Sequence, residues 1–123
     1  MALPWDEAAS RQCAKIPGFK YSCLIFKNSI CGQHGDKSLA PCAALIQSMD
    51  TIRDKGTGIP AITHNGKKMR AIQNIADRVC YKSEDSFLVG MFEGNDWKGI
   101  IYFTGVQSES LEWEKAMHAA ILQ

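Results

Sequence analysis

Hydrophobic and polar positions along this amino-acid sequence change period near its middle, and breakers divide it into elements. "PWDEAASRQCAK" opens with a proline and then two carboxylates. A first helical turn tolerates the missing proline N–H, and its positive end attracts acids. The pattern predicts a helix from Pro4 to about Lys15, stopped by Pro17-Gly18. "YSCLIFKN", Tyr21 to Asn28, is largely apolar and rich in β-formers, which predicts a central strand; Asn28-Ser29 then turns into a weaker strand ending near Gly35. Asp36 or Ser38 can cap a second helix, in which Leu39, Ala43, Ile46 and Met49 fall near helical spacing. The breaker cluster "DKGTG" closes it at Gly56 to Gly58.

From Ile59 extended segments follow in quick succession: "PAITH", "KMRAIQ", "DRVCYKS", "FLVGMFE" and "GIIYFTG". They are divided by Asn65-Gly66, Asn74 to Asp77, Glu84-Asp85 and "GNDWK". Connections this short allow only antiparallel neighbours, because a parallel crossover needs a dozen or more residues. The last segment, "SESLEWEKAMHAAILQ", predicts a helix capped by Ser108 or Ser110. Trp113, Ala116, Met117, Ala120 and Ile121 form one apolar stripe on it. The expected architecture is one α+β domain over residues 1–123. A central antiparallel sheet of about six to seven strands is flanked by N- and C-terminal helices, with one short internal helix.

Composition narrows the function. Apolar residues make up 46% and charged residues 22% of 123, ordinary for a globular chain that folds without a metal or disulfide framework. A net charge of +1 gives no global attraction to nucleic acid or membrane, so a basic footprint must be local. The start, "MALPWDEAASRQ", is acidic where a secretory signal is cationic, and the chain reads as cytoplasmic. Cys13, Cys23, Cys31, Cys42 and Cys80 include no Cys-x-x-Cys pair, so neither a zinc site nor a disulfide scaffold is expected.

Lys67, Lys68 and Arg70 stand directly behind the Asn65-Gly66 turn. Strand alternation sends Lys68, Arg70 and Ile72 one way and Met69, Ala71 and Gln73 the other. Read from the residues alone, these cations solubilise a strand and guard a sheet edge. Trp97, in "GNDWKG", either folds back over the sheet edge, the reading preferred, or marks a partner contact.

Three strings carry a resemblance. "GKKMRAIQN" is similar to the profilin segment in which a glycine-lysine turn leads into a strand; "WEKAMH", Trp113 to His118, is similar to the last helix of animal profilins; Trp5 matches the tryptophan that opens their first helix. In this order the strings span nearly the whole chain, which resembles the profilin family. That resemblance implies a profilin-like fold and a non-enzymatic, actin-binding protein of the cytoskeleton, without cofactors, that regulates actin polymerisation and nucleotide exchange.

The resemblance also implies sites. Lys68, Lys82 and Glu114 match actin contacts; Gln73 stands where an arginine is expected and Glu84 where a lysine is expected. The cations would then lie on the sheet side opposite the proline-binding helices. Trp5 and His118 match positions of a groove for proline-rich proteins such as formins. Ala8 replaces a tyrosine of that groove, Cys31 a tryptophan, and the chain stops at Gln123 without a terminal aromatic, so poly-proline binding should be weak. Lys67, Lys68, Arg70 and Lys82 offer a patch to phosphoinositides.

Two rival readings remain. Cys31 and His34 have a spacing compatible with a local metal pair or a thiol with its base, but "CGQHG" brings no orienting acid or second histidine and fits an exposed hairpin better. A roadblock- or longin-like scaffold of GTPase or motor complexes shares a helix-flanked antiparallel sheet. Such a scaffold should dimerise, whereas a profilin-like protein should be a monomer.

Overall fold

The computed structural model describes residues 4–27, 29–36, 43–56, 59–64, 66–75, 78–93 and 96–121. Helix α1 spans Pro4–Cys13, followed by strands β1 (Phe19–Phe26) and β2 (Ser29–Gly35) and helix α2 (Ala43–Lys55). Strands β3 (Ala61–His64), β4 (Lys67–Ile75), β5 (Arg78–Ser83), β6 (Ser86–Glu93) and β7 (Trp97–Thr104) come next. A 3-10 turn (Gln107–Ser110) then leads into helix α3 (Leu111–Ile121). The α+β order expected from periodicity is the order observed. Strands β1 to β7 form one antiparallel sheet in the order β2-β1-β7-β6-β5-β4-β3, so β1 joins the late meander by pairing with β7.

Alternation along the strands builds two cores. Toward α2 face Tyr21, Cys23, Ile25, Val79, Tyr81, Leu88 and Ile100, packed on Leu45, Met49 and Ile52 of the helix. The opposite face carries Leu24, Cys80, Val89, Met91, Ile101 and Phe103, covered by Ala9 and Cys13 of α1 and by Trp113 and Met117 of α3. A Cβ on Gly90 would lie 2.8 Å from the Met49 sulfur, so the missing side chain is what lets α2 approach β6. Lys98, buried under α2, pairs with Asp50 at 3.4 Å and ties the helix to β7. The sheet curls enough that His64 on the edge strand β3 meets Tyr102 of β7, with ring centroids 4.9 Å apart.

Local details depart from expectation at element ends. α1 stops at Cys13, and the chain tightens through Lys15 N–H donating to Gln12 O at 3.1 Å, as helix ends commonly do. The expected Ser38 cap and Leu39 lie outside the described residues; α2 is described from Ala43. The last helix is not capped by a serine side chain on its first N–H groups. Instead the Glu109 carboxylate accepts from Val106 N–H at 3.2 Å, while Ser110 Oγ turns to Glu114 at 2.8 Å. No described helix is long and apolar enough to cross a membrane.

Candidate functional site

Two of the cations behind the Gly66 turn, Lys68 and Arg70, share a sheet face with α3. Met69 takes the face buried under α2, so the neighbouring Lys68 and Arg70 project from the face that also carries α1 and α3. This corrects the expectation that they face away from those helices: the requirement to bury Met69 decides the side. Arg70 stands in register with Lys82 of β5, and the Lys82 ammonium lies 5.5 Å from the Phe87 ring centroid. Lys68, Arg70 and Lys82 are exposed. Among the described residues none of the three makes an ion pair. Like charges directly opposite one another across a sheet destabilise it.

Gln73 also changes side. The register of β4 with β5 pairs Ala71 with Tyr81 but Gln73 with Cys80, leaving Ile72 as the extra residue of a bulge. The bulge breaks the alternation that grouped Gln73 with Met69 and Ala71, and turns it toward α3. There its Oε1 accepts from Arg78 Nη1. Arg78 Nε donates to Glu114 Oε1, and Nη2 to Oε2 at 3.2 Å, a fork that engages both carboxylate oxygens. Ser110 adds a third bond to Oε2. Glu114 is accordingly buried, with 11% of its side chain exposed, rather than a free surface carboxylate.

Arg78 is the residue that sequence reading missed. The available signal was Glu114: it adjoins the apolar stripe of Trp113 and Met117, and a carboxylate placed there needs a cation from the sheet. Gln73, Arg78 and Glu114, with Gln107, Ser108 and Leu111, line a depression of about 420 Å³ between β4, β5 and α3.

A second depression, lined by Gln12, Lys15, Glu112 and Trp113 among others, shows the end of α1 beside the start of α3. The two helices are therefore antiparallel, and the first turn of α1 shares an end with the last turn of α3. Trp5 occupies that turn of α1, but its side chain lies outside the described ones. His118 is half-buried on α3, Ala8 half-buried on α1, and Cys31 exposed on the edge strand β2. Phe26 and Trp97 sit at the same end of the sheet, with ring centroids 4.4 Å apart. Trp97, expected in a turn folded over the sheet edge, is instead the first residue of the central strand β7, paired with both β1 and β6, and packs on the α1–α3 core from within the sheet.

Three of the described thiols are buried in the cores. Burial pushes Cys13 up to about 11, Cys23 to about 12 and Cys80 to about 11, all held as thiols at neutral pH. Cys31 lies in a bulge of β2, where its Sγ contacts Ser29 O at 3.6 Å, and His34 pairs in register with Ser22. Among the described residues no group of three or more His, Cys, Asp or Glu is placed to hold a metal ion.

No protein-family model and no curated protein sequence matches the chain. Solved structures do. LokiProfilin2, solved in complex with rabbit actin, superposes with a TM-score of 0.76 at 13% identity over 99% of this chain and 98% of its own. LokiProfilin1 gives 0.73 at 16% identity with both chains fully covered. Acanthamoeba castellanii profilin IA gives 0.71 at 8% identity over 97% and 98%. A roadblock/LC7 domain from Streptomyces avermitilis also superposes, at 0.54 and 10% identity over 95% and 94%. Over its whole described architecture this chain has a profilin-like fold.

Proposed function

We propose that the chain binds monomeric actin through the exposed face of β4 and β5 beside α3, and so regulates actin polymerisation. The observation that supports this most is the full-length likeness to a profilin solved with actin. The face itself fits the reading. Lys68, Arg70 and Lys82 form a cluster of cations kept at a cost to the sheet, which suits an anionic partner surface where charge fixes register and speeds encounter. Lys68 and Lys82 act as direct contacts, Gln73 lies at the rim, and Glu114 acts from beneath it.

Such a protein needs no catalytic group. Higher affinity for an actin conformation with a looser nucleotide cleft would favour that state and accelerate exchange. Proline-rich segments, formins among them, are weaker ligands at the end of α1 and α3, where Trp5 and His118 lie with Ala8 and Cys31 in place of aromatics. A stiff polyproline II segment loses little entropy on stacking there. The cation cluster can also meet phosphoinositide head groups, more weakly at higher salt.

Assembly of fluorescently labelled actin is the test, with wild type compared against Lys68→Glu, Lys82→Glu. Wild type slows spontaneous assembly and the double variant does not. If folded wild type leaves assembly unchanged, actin binding is refuted. The roadblock-like alternative, favoured by the Streptomyces likeness, requires a tight homodimer; sedimentation as a monomer at all concentrations excludes it.

A further inference from the structure

We infer that Arg78 is a positioning residue that makes the outward polar side chains of β4 and β5 beside α3 present hydrogen-bond donors, selecting a partner surface rich in carboxylates and carbonyls. The inference rests on the actin reading above. Glu114 is the carboxylate of α3 that borders this face, and Arg78 removes it from recognition by occupying both of its oxygens in a fork, with Ser110 on one of them. A guanidinium is a donor without an acceptor, so Gln73 must turn Oε1 toward Arg78. The amide NH₂ group of that exposed residue is then directed away from the clamp, to the rim of the depression.

The outward polar side chains from here along β4 and β5 include the Gln73 amide donor and the cations Arg70, Lys68 and Lys82. Through one arginine, a carboxylate is withdrawn and an ambivalent amide is turned to join the row of donors on β4 and β5. An acceptor-rich partner gains charge-assisted bonds there, and a basic one meets only donors.

Two substitutions at one exposed position separate this arrangement from a structural role. Gln73→Glu keeps an acceptor for Arg78 and preserves the clamp, but offers no donor outward. Gln73→Lys offers a donor outward and gives up the bond to Arg78. Actin affinity is read by titration alongside thermal midpoints. Side-chain amide NMR of Gln73 in the free protein is compared between wild type and Arg78→Lys, which keeps the charge without the fork.

The expected result is a Kd raised roughly tenfold by Gln73→Glu, with an unchanged or higher midpoint, while Gln73→Lys stays within about threefold of wild type. The Gln73 amide resonances shift in Arg78→Lys. Equal affinity of Gln73→Glu and wild type, tighter binding by Gln73→Glu than by Gln73→Lys, or amide signals indifferent to residue 78 overturn the inference while leaving actin binding intact. Wild type that fails to bind actin instead overturns the reading beneath it, and the choice of partner with it.

Discussion

His64 shows how one buried side chain couples folding to pH. It is 5% exposed and set edge-on to Tyr102, and burial lowers its pKa from the ordinary 6.5. The neutral imidazole is therefore favoured in the folded state, and the unfolded chain binds the proton more readily. Stability from this group is complete above pH 6.5 and is lost as pH falls through the lowered folded value. Thermal midpoints at pH 7.5 and 5 should show a larger drop in wild type than in His64→Phe. The cysteines make a second residue-scale prediction. Cys31 is exposed, whereas Cys13, Cys23 and Cys80 are buried thiols held protonated. Brief alkylation near pH 8, read by peptide mass spectrometry, should label Cys31 ahead of those three, and a denaturant should remove the difference.

At the scale of elements, helix docking depends on close contacts that composition does not reveal. Gly90 admits Met49 of α2, and Gly99 admits the Trp113 ring of α3, which a Cβ would meet at 3.3 Å. Gly90→Val puts three carbons against Met49 and Val79, and should cost about 1–3 kcal/mol in denaturant unfolding as α2 is pushed outward. Trp113→Ala empties the centre of the α1–α3 core and should cost about 3–5 kcal/mol. If Trp113→Ala costs under about 1 kcal/mol, the docking of α3 described here is wrong.

For the whole molecule, the proposed actin contact and stability pull in opposite directions at the cation cluster. Lys82→Glu replaces a like-charge pair with an opposite-charge pair facing Arg70, and should raise stability by a few tenths of a kcal/mol. The same change should weaken actin binding. Calorimetry and actin titration on one sample decide the matter: a Lys82→Glu protein that is less stable, or that binds actin as well as wild type, contradicts the role given to this face.

The sequence alone determined the elements, because each is written in local chemistry. Pro17-Gly18 and "DKGTG" break helices wherever they occur, the short gaps after Ile59 permit only antiparallel neighbours, and Trp113 and Met117 mark the buried stripe of α3. The strand segments and the final helix were legible for that reason, as were the exposed Lys68 and Lys82. What tertiary structure decided was side and partnership. Burial of Met69 under α2 sent Lys68 and Arg70 to the α3 face, the bulge at Ile72 reversed Gln73, and the cap of the 3-10 turn leading into the last helix fell to Glu109. Arg78 and Glu114 are 36 residues apart, and the pairing of β5 with β6 and of β6 with β7, with the return of α3 across the sheet, brings them together. Local periodicity fixes which residues face inward along one element, but a contact between distant segments depends on how the whole sheet closes.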